Sequence, residues 1–286
     1  MNGPGQGRRR VRLPYVEWLA HMLTARDWAI IKTVYDFRIV TGLQIEQLHF
    51  SELAMRSRSV MRWRVLKRQV DARILTTFDR RIGTCRRGST QLRYVLDSAG
   101  QRLIRLQLNR EIPDARVRRP RLPGERFVAH ALAVTELYVA LVEHSRLGRF
   151  VLDDFKSEGG AYWPNGLGGW IKPDALVKLH QGSVADYWWY EADLATESLP
   201  TIRAKLVVYL DFVHRGRLGP DGIVPRVLIG VPTSKRQLAI QSVIHSLPEP
   251  AVFMFSVVLM PDAATFLMSG RSQSIEAIQA GAISVS

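Results

Sequence analysis

The sequence predicts an α/β chain, α+β overall, in two domains, and three observations carry that prediction. Charge is partitioned: residues 1–128 hold 27 Lys/Arg against 11 Asp/Glu, whereas residues 129–286 hold 13 against 15. Apolar residues at helical spacing dominate the first half and are followed there by a β-prone hairpin. The second half reads helix, three strands, helix, strand, the αβββαβ order of a sheet flanked by helices. With 286 residues and 47% hydrophobic composition the chain can bury substantial cores, which excludes a disordered polycation.

In the first half, Thr24 followed by Asp27 reads as a helix cap, opening a helix that buries Ile30, Ile31, Val34 and Phe37. Thr41 and Gln44 repeat the pattern ahead of Ile45, Leu48 and Phe50. A third helix is predicted over about 57–70, with Trp63, Leu66 and Val70 as its core stripe. Arg58, Arg62, Arg64, Lys67 and Arg68 lie on its other faces, and no acid stands between Glu52 and Asp71. Ile74 to Phe78 and Leu92 to Leu96 are predicted strands, joined by a tip that carries Arg80, Arg81, Arg86 and Arg87, with Gly83 and Gly88 to turn the chain. Asp97 or Ser98 then caps a fourth helix running to about Asn109. Three helices and a basic hairpin in this order predict an N-terminal winged helix-turn-helix domain. Its limits are 23–110, after a basic arm over 1–22 and before a Pro/Arg-rich linker over 111–126. The partner this charge pattern predicts is double-stranded DNA: 25 of the 27 cations up to residue 128 are Arg, the side chain that pairs bidentately with phosphates and guanine edges.

The second half opens with an amphipathic helix from Phe127 to His144. Strands are predicted at Phe150–Phe155, Ile171–Leu179, Asp186–Asp193 and Val224–Val231, with a helix over 199–214 and a last strand from Ala251 to Met260. Alternation along the third strand puts Tyr187, Trp189, Glu191 and Asp193 on one face, and Asp174 opens the neighbouring strand after Pro173. Two readings of these acids stand. They are edge residues paired locally, or Asp174, Glu191 and Asp193 converge as hard oxygen ligands for Mg2+ or Mn2+ and serve phosphodiester chemistry.

The spacing of Pro173-Asp174, then Glu191-x-Asp193, then a helix carrying Lys205 and Tyr209 resembles the PD-(D/E)xK nuclease pattern. More broadly, the chain resembles the replication-relaxation family of bacterial plasmids and mobile elements. The resemblance is carried by HALAVTELYVAL from His130, KPDALVKL from Lys172, WWYEADLATES from Trp188 and KLVVYLDF from Lys205. In the first half it is carried by LTARDWAIIKTVYDFRIVTGLQIEQLHF from Leu23 and RYVLDSAGQRLI from Arg93. It implies a PD-(D/E)xK restriction-endonuclease-like αβββαβ domain over 127–262, followed by a C-terminal tail over 263–286. It also implies a part in plasmid replication and in relaxing or nicking plasmid DNA, as a metal-dependent endodeoxyribonuclease with Asp174, Glu191, Asp193 and Lys205 at its centre. A second copy of the chain, or replication and transfer proteins, would be its protein partners.

One departure from the nuclease pattern matters. The position two residues after the Glu, where the pattern has Lys, is Asp193. Either Lys205 or Arg203 on the following helix supplies the missing charge, with Glu136 or Glu158 completing the metal shell, or catalysis is lost. In the second case the chain is a non-catalytic DNA-binding replication or transcription factor. No Gly-rich phosphate loop or nucleotide fingerprint appears, so no organic cofactor is expected. A single cysteine, Cys85, excludes an intrachain disulfide and a Cys-rich zinc site. Without a run of 18 apolar residues, or an apolar stretch after Arg8-Arg9-Arg10-Val11-Arg12, the sequence predicts a cytoplasmic protein with no membrane contact.

Overall fold

The computed structural model describes residues 11–78, 92–108 and 123–269, a mixed α/β chain that divides into two compact units, Met1–Val139 and Ala140–Ser286. The predicted hairpin tip with Arg80, Arg81, Arg86 and Arg87 lies outside the described residues, as does most of the predicted linker.

In the first unit the elements are α1 (Leu13–Met22), α2 (Ala25–Phe37), β1 (Val40–Thr41), α3 (Gly42–His49), α4 (Met55–Asp71), β2 (Leu75–Phe78), β3 (Arg93–Leu96) and α5 (Ser98–Gln107). Within the segment expected as a basic arm, residues 13–22 are thus helical, with Val16 and Leu19 buried. Both predicted capping boxes form: Thr24 and Asp27 exchange side-chain-to-backbone bonds, and Thr41 and Gln44 do the same. Each satisfies two backbone groups that a helix start would otherwise leave open. The short strand β1 went unpredicted. It pairs with β3 to give the order β1-β3-β2, so β3 is central and buries Val95 as well as Tyr94.

The predicted stripe on α4 is rotated. Leu66 is buried, but Trp63 is 62% exposed, and Gln69 takes an inward position instead. The cause is Asp27, a carboxylate buried in α2. It receives Gln69 Nε2 at 2.9 Å and Arg68 Nη2 at 2.6 Å, and these bonds turn α4 so that Trp63 leaves the core. A buried charge is costly unless it is satisfied in this way, so the polar contact outweighs the burial of one indole. Those hydrogen bonds hold the Asp27 pKa below its ordinary value, although burial by itself pushes it up.

α6 (Glu125–Arg146) contains the division between the units, with Val128 and Ala131 packing on Ile39 and Val95 in the first. Among the described residues it is the one helix long and apolar enough to cross a membrane by length and composition, yet Val128, Ala131, Val134, Leu137, Val139 and Leu141 are buried in folded protein.

The second unit continues with β4 (Val151–Ser157), β5 (Trp163–Pro164), β6 (Trp170–Ile171), β7 (Ala175–Gln181), β8 (Val184–Ala192), α7 (Leu199–His214), β9 (Arg226–Val231), α8 (Ser234–His245), α9 (Ala251–Met254), β10 (Phe255–Leu259) and α10 (Ala263–Met268). Five strands form one sheet in the order β10-β9-β8-β7-β4. β4, β7 and β8 pair antiparallel, while β8, β9 and β10 pair parallel, with α7 crossing between β8 and β9. Two strands start four residues later than predicted. Ile171 pairs with Trp163 in a separate two-stranded ribbon, so β7 begins only at Ala175. Residues 251–254 are helical, because Pro250 sets a turn whose carbonyl takes the Phe253 and Met254 amides at 3.0 Å each.

Gly100 in α5 makes a measurable test of packing in the first unit. A Cβ there would stand 2.3 Å from the Ile74 carbonyl oxygen, a backbone atom that cannot swing aside. We predict that Gly100→Ala costs about 1–3 kcal/mol by overpacking, exceeding the about 0.5–1 kcal/mol that Ala gains over Gly in a helix. Urea denaturation should show a lower midpoint; an unchanged midpoint would contradict the packing described.

Candidate functional site

The parallel seam between β8 and β9 places Glu191 opposite Ile229 and Ala192 opposite Gly230. On the other side of β8, the Asp174 amide donates to the Tyr190 carbonyl at 3.0 Å, just ahead of the β7 register. The Asp174 carboxylate in turn accepts the Ala192 amide at 2.8 Å. Asp174 and Glu191 are therefore locked beside each other by main-chain bonds. Gly230 is required for this seam, since a Cβ would fall 2.3 Å from the Tyr190 hydroxyl.

Lys205 and Tyr209 stand one turn apart on α7, on the face turned to the sheet. Ser198 caps this helix by accepting the Thr201 amide, with Pro200 in its first turn. Lys205 Nζ lies 2.5 Å from Glu191 Oε2, and the Tyr209 hydroxyl donates to Glu191 Oε1. Below them Trp189 packs on Tyr209 and Phe212, with ring centroids 5.4 and 5.7 Å apart. The Glu191 side chain is 6% exposed and that of Lys205 is 37% exposed, so the carboxylate is buried and the lysine side chain is only partly open to solvent.

Electrostatics follow from this placement. Burial pushes the Glu191 carboxyl up to about 7, with Lys205 pulling it down and the Asp174 charge pushing it up. For Lys205, burial disfavours the ammonium, but Glu191 and Asp174 outweigh it and hold its pKa above the ordinary value. Burial and the Glu191 charge raise Tyr209 well above the usual phenol range, so it stays a donor.

Asp193 does not join this group. Its two oxygens are taken by Arg236 of α8, through Nε at 2.6 Å and Nη2 at 3.0 Å. Arg236 also donates to the Glu197 carbonyl at 2.8 Å and so fixes the β8–α7 loop, where Ala195 has φ 57°. The expected convergence of three carboxylates is thereby reduced to two, because a guanidinium neutralises the third. Among the described residues no group of three or more His, Cys, Asp or Glu is arranged to hold a metal ion. Arg203, the other cation considered for α7, bonds Ser246 instead. Glu158 follows β4, and its amide donates to the Asp174 carbonyl at 2.8 Å. Glu136 accepts Gln44 Nε2 at 2.9 Å within the first unit. Sequence reading missed Arg236, for which Thr233 was the available signal: it caps α8 by accepting the Arg236 amide.

Of the basic residues predicted on α4, several are engaged locally. Arg58 donates to the Leu53 and Ser51 carbonyls, Arg62 pairs with Glu46 at 3.0 Å, and Lys67 pairs with Asp71 at 2.6 Å. Arg68 is held by Asp27, as described above. Arg64 is exposed and has no polar partner among the described residues.

The fold and this centre define a mixed α/β protein with a carboxylate–lysine cluster where its central strand meets the helix that follows. The chain belongs to the replication-relaxation family, whose sequence profile matches residues 31–227. That span includes Asp174, Glu191, Asp193, Lys205 and Tyr209, and it ends before Arg236. No curated protein matches the chain.

The ion pair carries a stability prediction with a definite sign. In Lys205→Met, Glu191 loses its counter-charge. A fully buried pair broken on one side costs about 3–5 kcal/mol, and partial exposure of Lys205 brings the expected loss to about 2 kcal/mol at pH 8. Because the Glu191 pKa is raised, its ionised form burdens the fold only as pH climbs from the unfolded value through about 7. The penalty of Lys205→Met should therefore shrink towards pH 5, where Glu191 is protonated in both proteins. Urea denaturation at the two pH values checks this; an equal penalty at both would refute it.

Proposed function

We propose that the chain acts on plasmid or mobile-element DNA as a metal-dependent nicking or cleaving phosphodiesterase. Its second domain, over 127–262, is then a PD-(D/E)xK restriction-endonuclease-like core, and its first, over 23–110, a winged helix-turn-helix that grips double-stranded DNA. The order α6, β4, β7, β8, α7, β9 is consistent with an αβββαβ core. The order α2, β1, α3, α4, β2, β3 is consistent with a winged helix. The observation that carries the catalytic reading is Lys205 Nζ at 2.5 Å from Glu191, with Asp174 alongside. A lysine on α7 thus delivers the positive charge that the nuclease pattern takes from the position occupied here by Asp193.

Whether these residues suit a divalent cation can be judged from their chemistry. Mg2+ is commonly held by one or two carboxylates together with substrate phosphate oxygens and water. Asp174 and Glu191 supply two hard oxygen donors whose mutual repulsion, added to burial, keeps Glu191 near neutral pKa. Two neighbouring acids favour a cation beside them, and since Lys205 and Tyr209 each take one lone pair of a Glu191 oxygen, a metal ion would share Glu191 with them; Asp193, held on both oxygens by Arg236, stays outside the ligand set. When bound, the ion would polarise the phosphodiester and lower the pKa of a water molecule. Lys205, whose side chain is partly exposed, offsets the charge that grows on the phosphate oxygens. Tyr209 fixes the Glu191 carboxylate by donating to it. Arg236 holds the loop from which α7 starts and so sets where Lys205 stands.

The engagement of Asp193 by Arg236 favours a second reading, in which the fold persists as a non-catalytic DNA-binding replication or transcription factor. Incubation with supercoiled plasmid in Mg2+ or Mn2+ separates the two. We predict nicking that EDTA abolishes, that Asp174→Asn removes, and that Lys205→Met slows by on the order of 10²-fold. Metal affinity, read from the Mg2+ concentration that gives half-maximal nicking, should rise with pH through about 7, because Glu191 must lose its proton to serve as a ligand. Duplex binding without cleavage in any of these metals would favour the non-catalytic reading.

A further inference from the structure

The turn of α4 that removes Trp63 from the core leaves one face of the helix built for a different task. Arg56, Val60, Trp63, Arg64 and Lys67 fall at i, i+4, i+7, i+8 and i+11, which places them along one side of the helix. All five are exposed, Trp63 at 62% and Val60 at 49%. Arg56 and Arg64 make no ion pair or hydrogen bond among the described residues. Lys67 is held only by Asp71 one turn away, an exposed pair that costs little to release. The remaining arginines of α4 are spent on the protein: Arg58 on loop carbonyls, Arg62 on Glu46, Arg68 on Asp27. No acid interrupts residues 55–70, so the strip is an apolar centre edged by cations.

We propose that this strip is the surface through which the first unit reads duplex DNA. Val60 and Trp63 contact thymine methyl groups in the major groove, and Arg56, Arg64 and Lys67 engage the adjoining phosphates. The inference rests on the reading that the first unit binds double-stranded DNA and narrows it to named side chains. The chemistry selects the occupant. Apolar side chains gain by covering the C5-methyl of thymine, which is displayed only in the major groove, and free guanidinium groups pair with the phosphates beside it. The strip therefore differs from the arginine set that the sequence alone suggests: it gains Arg56, Val60 and Trp63, and it loses Arg58, Arg62 and Arg68.

The test uses the full chain and two fluorescein-labelled 20-base-pair duplexes of the same A·T-rich sequence, one with every thymine replaced by uracil. Anisotropy titrations over a series of salt concentrations give affinity and salt slope together. Wild type should prefer the thymine duplex by about 4-fold for each methyl covered, the effect of one buried methyl-sized group. Trp63→Ala should reduce that preference by about 4-fold for each methyl it no longer covers, while keeping the wild-type salt slope. Arg56→Ala and Arg64→Ala should each reduce the slope by about 1 and keep the preference. Trp63 is exposed, so circular dichroism should show the Trp63→Ala fold unchanged. Equal binding of both duplexes by wild type, or a preference left undiminished by Trp63→Ala, would overturn the strip while leaving salt-dependent duplex binding in place. Absence of salt-dependent duplex binding by wild type would overturn the strip and the DNA-binding reading together.

Discussion

Glu191 is a carboxylate placed where water scarcely reaches, and the second unit is organised around the need to satisfy it. Lys205 provides a counter-charge, Tyr209 a hydrogen bond, and the Trp189–Tyr209–Phe212 packing excludes solvent from below. Those partners all come from α7 or from β8 itself, so the crossover between two parallel strands doubles as the wall of the site. Asp174 is brought in by the neighbouring antiparallel strand, which ties its oxygen to the Ala192 amide. Antiparallel pairing on one side of β8 and parallel pairing on the other is what lets two acids and a lysine meet at one strand end.

The first unit solves a similar problem in a different way. Asp27 is also buried, and three kinds of donor converge on it: the Thr24 cap, the amide of Gln69 and the guanidinium of Arg68. Two of the three come from α4, so the rotation of that helix about its axis is set by a polar anchor and not by its apolar residues. The exposed indole of Trp63 is the visible result. In both units a satisfied carboxylate decides which face of a helix remains for other work.

Much of this was legible in the sequence. The capping pairs Thr24–Asp27 and Thr41–Gln44 depend on residues three apart, a range within which local chemistry dictates geometry. Alternation along 186–193 put Trp189 and Glu191 on one face, and in the structure α7 covers that face with Lys205 beside Glu191. Where the sequence misled, partners outside the local pattern decide, two of them far away in the chain. Trp63 fits an apolar stripe until Asp27, more than thirty residues earlier, claims Gln69. Asp193 shares a face with Glu191 by alternation, and nothing nearby in the sequence announces Arg236, 43 residues later, which pairs with it. The late start of β7 reflects Ile171 pairing with Trp163, which no periodicity announces.

The free margin of the five-stranded sheet is β4, whose pairing with β7 slips between Leu152 and Asp154. A bulge of this kind twists the backbone out of line with an incoming strand, and charged side chains on an edge discourage the same addition. Here Asp154 pairs with Lys156 at 3.0 Å, and Asp153 pairs with His180. At the opposite margin, β10 contacts α8 and α9. A bulged, charged edge of this kind resists the addition of a further strand, so the protein can be concentrated with less risk of sheet-to-sheet aggregation.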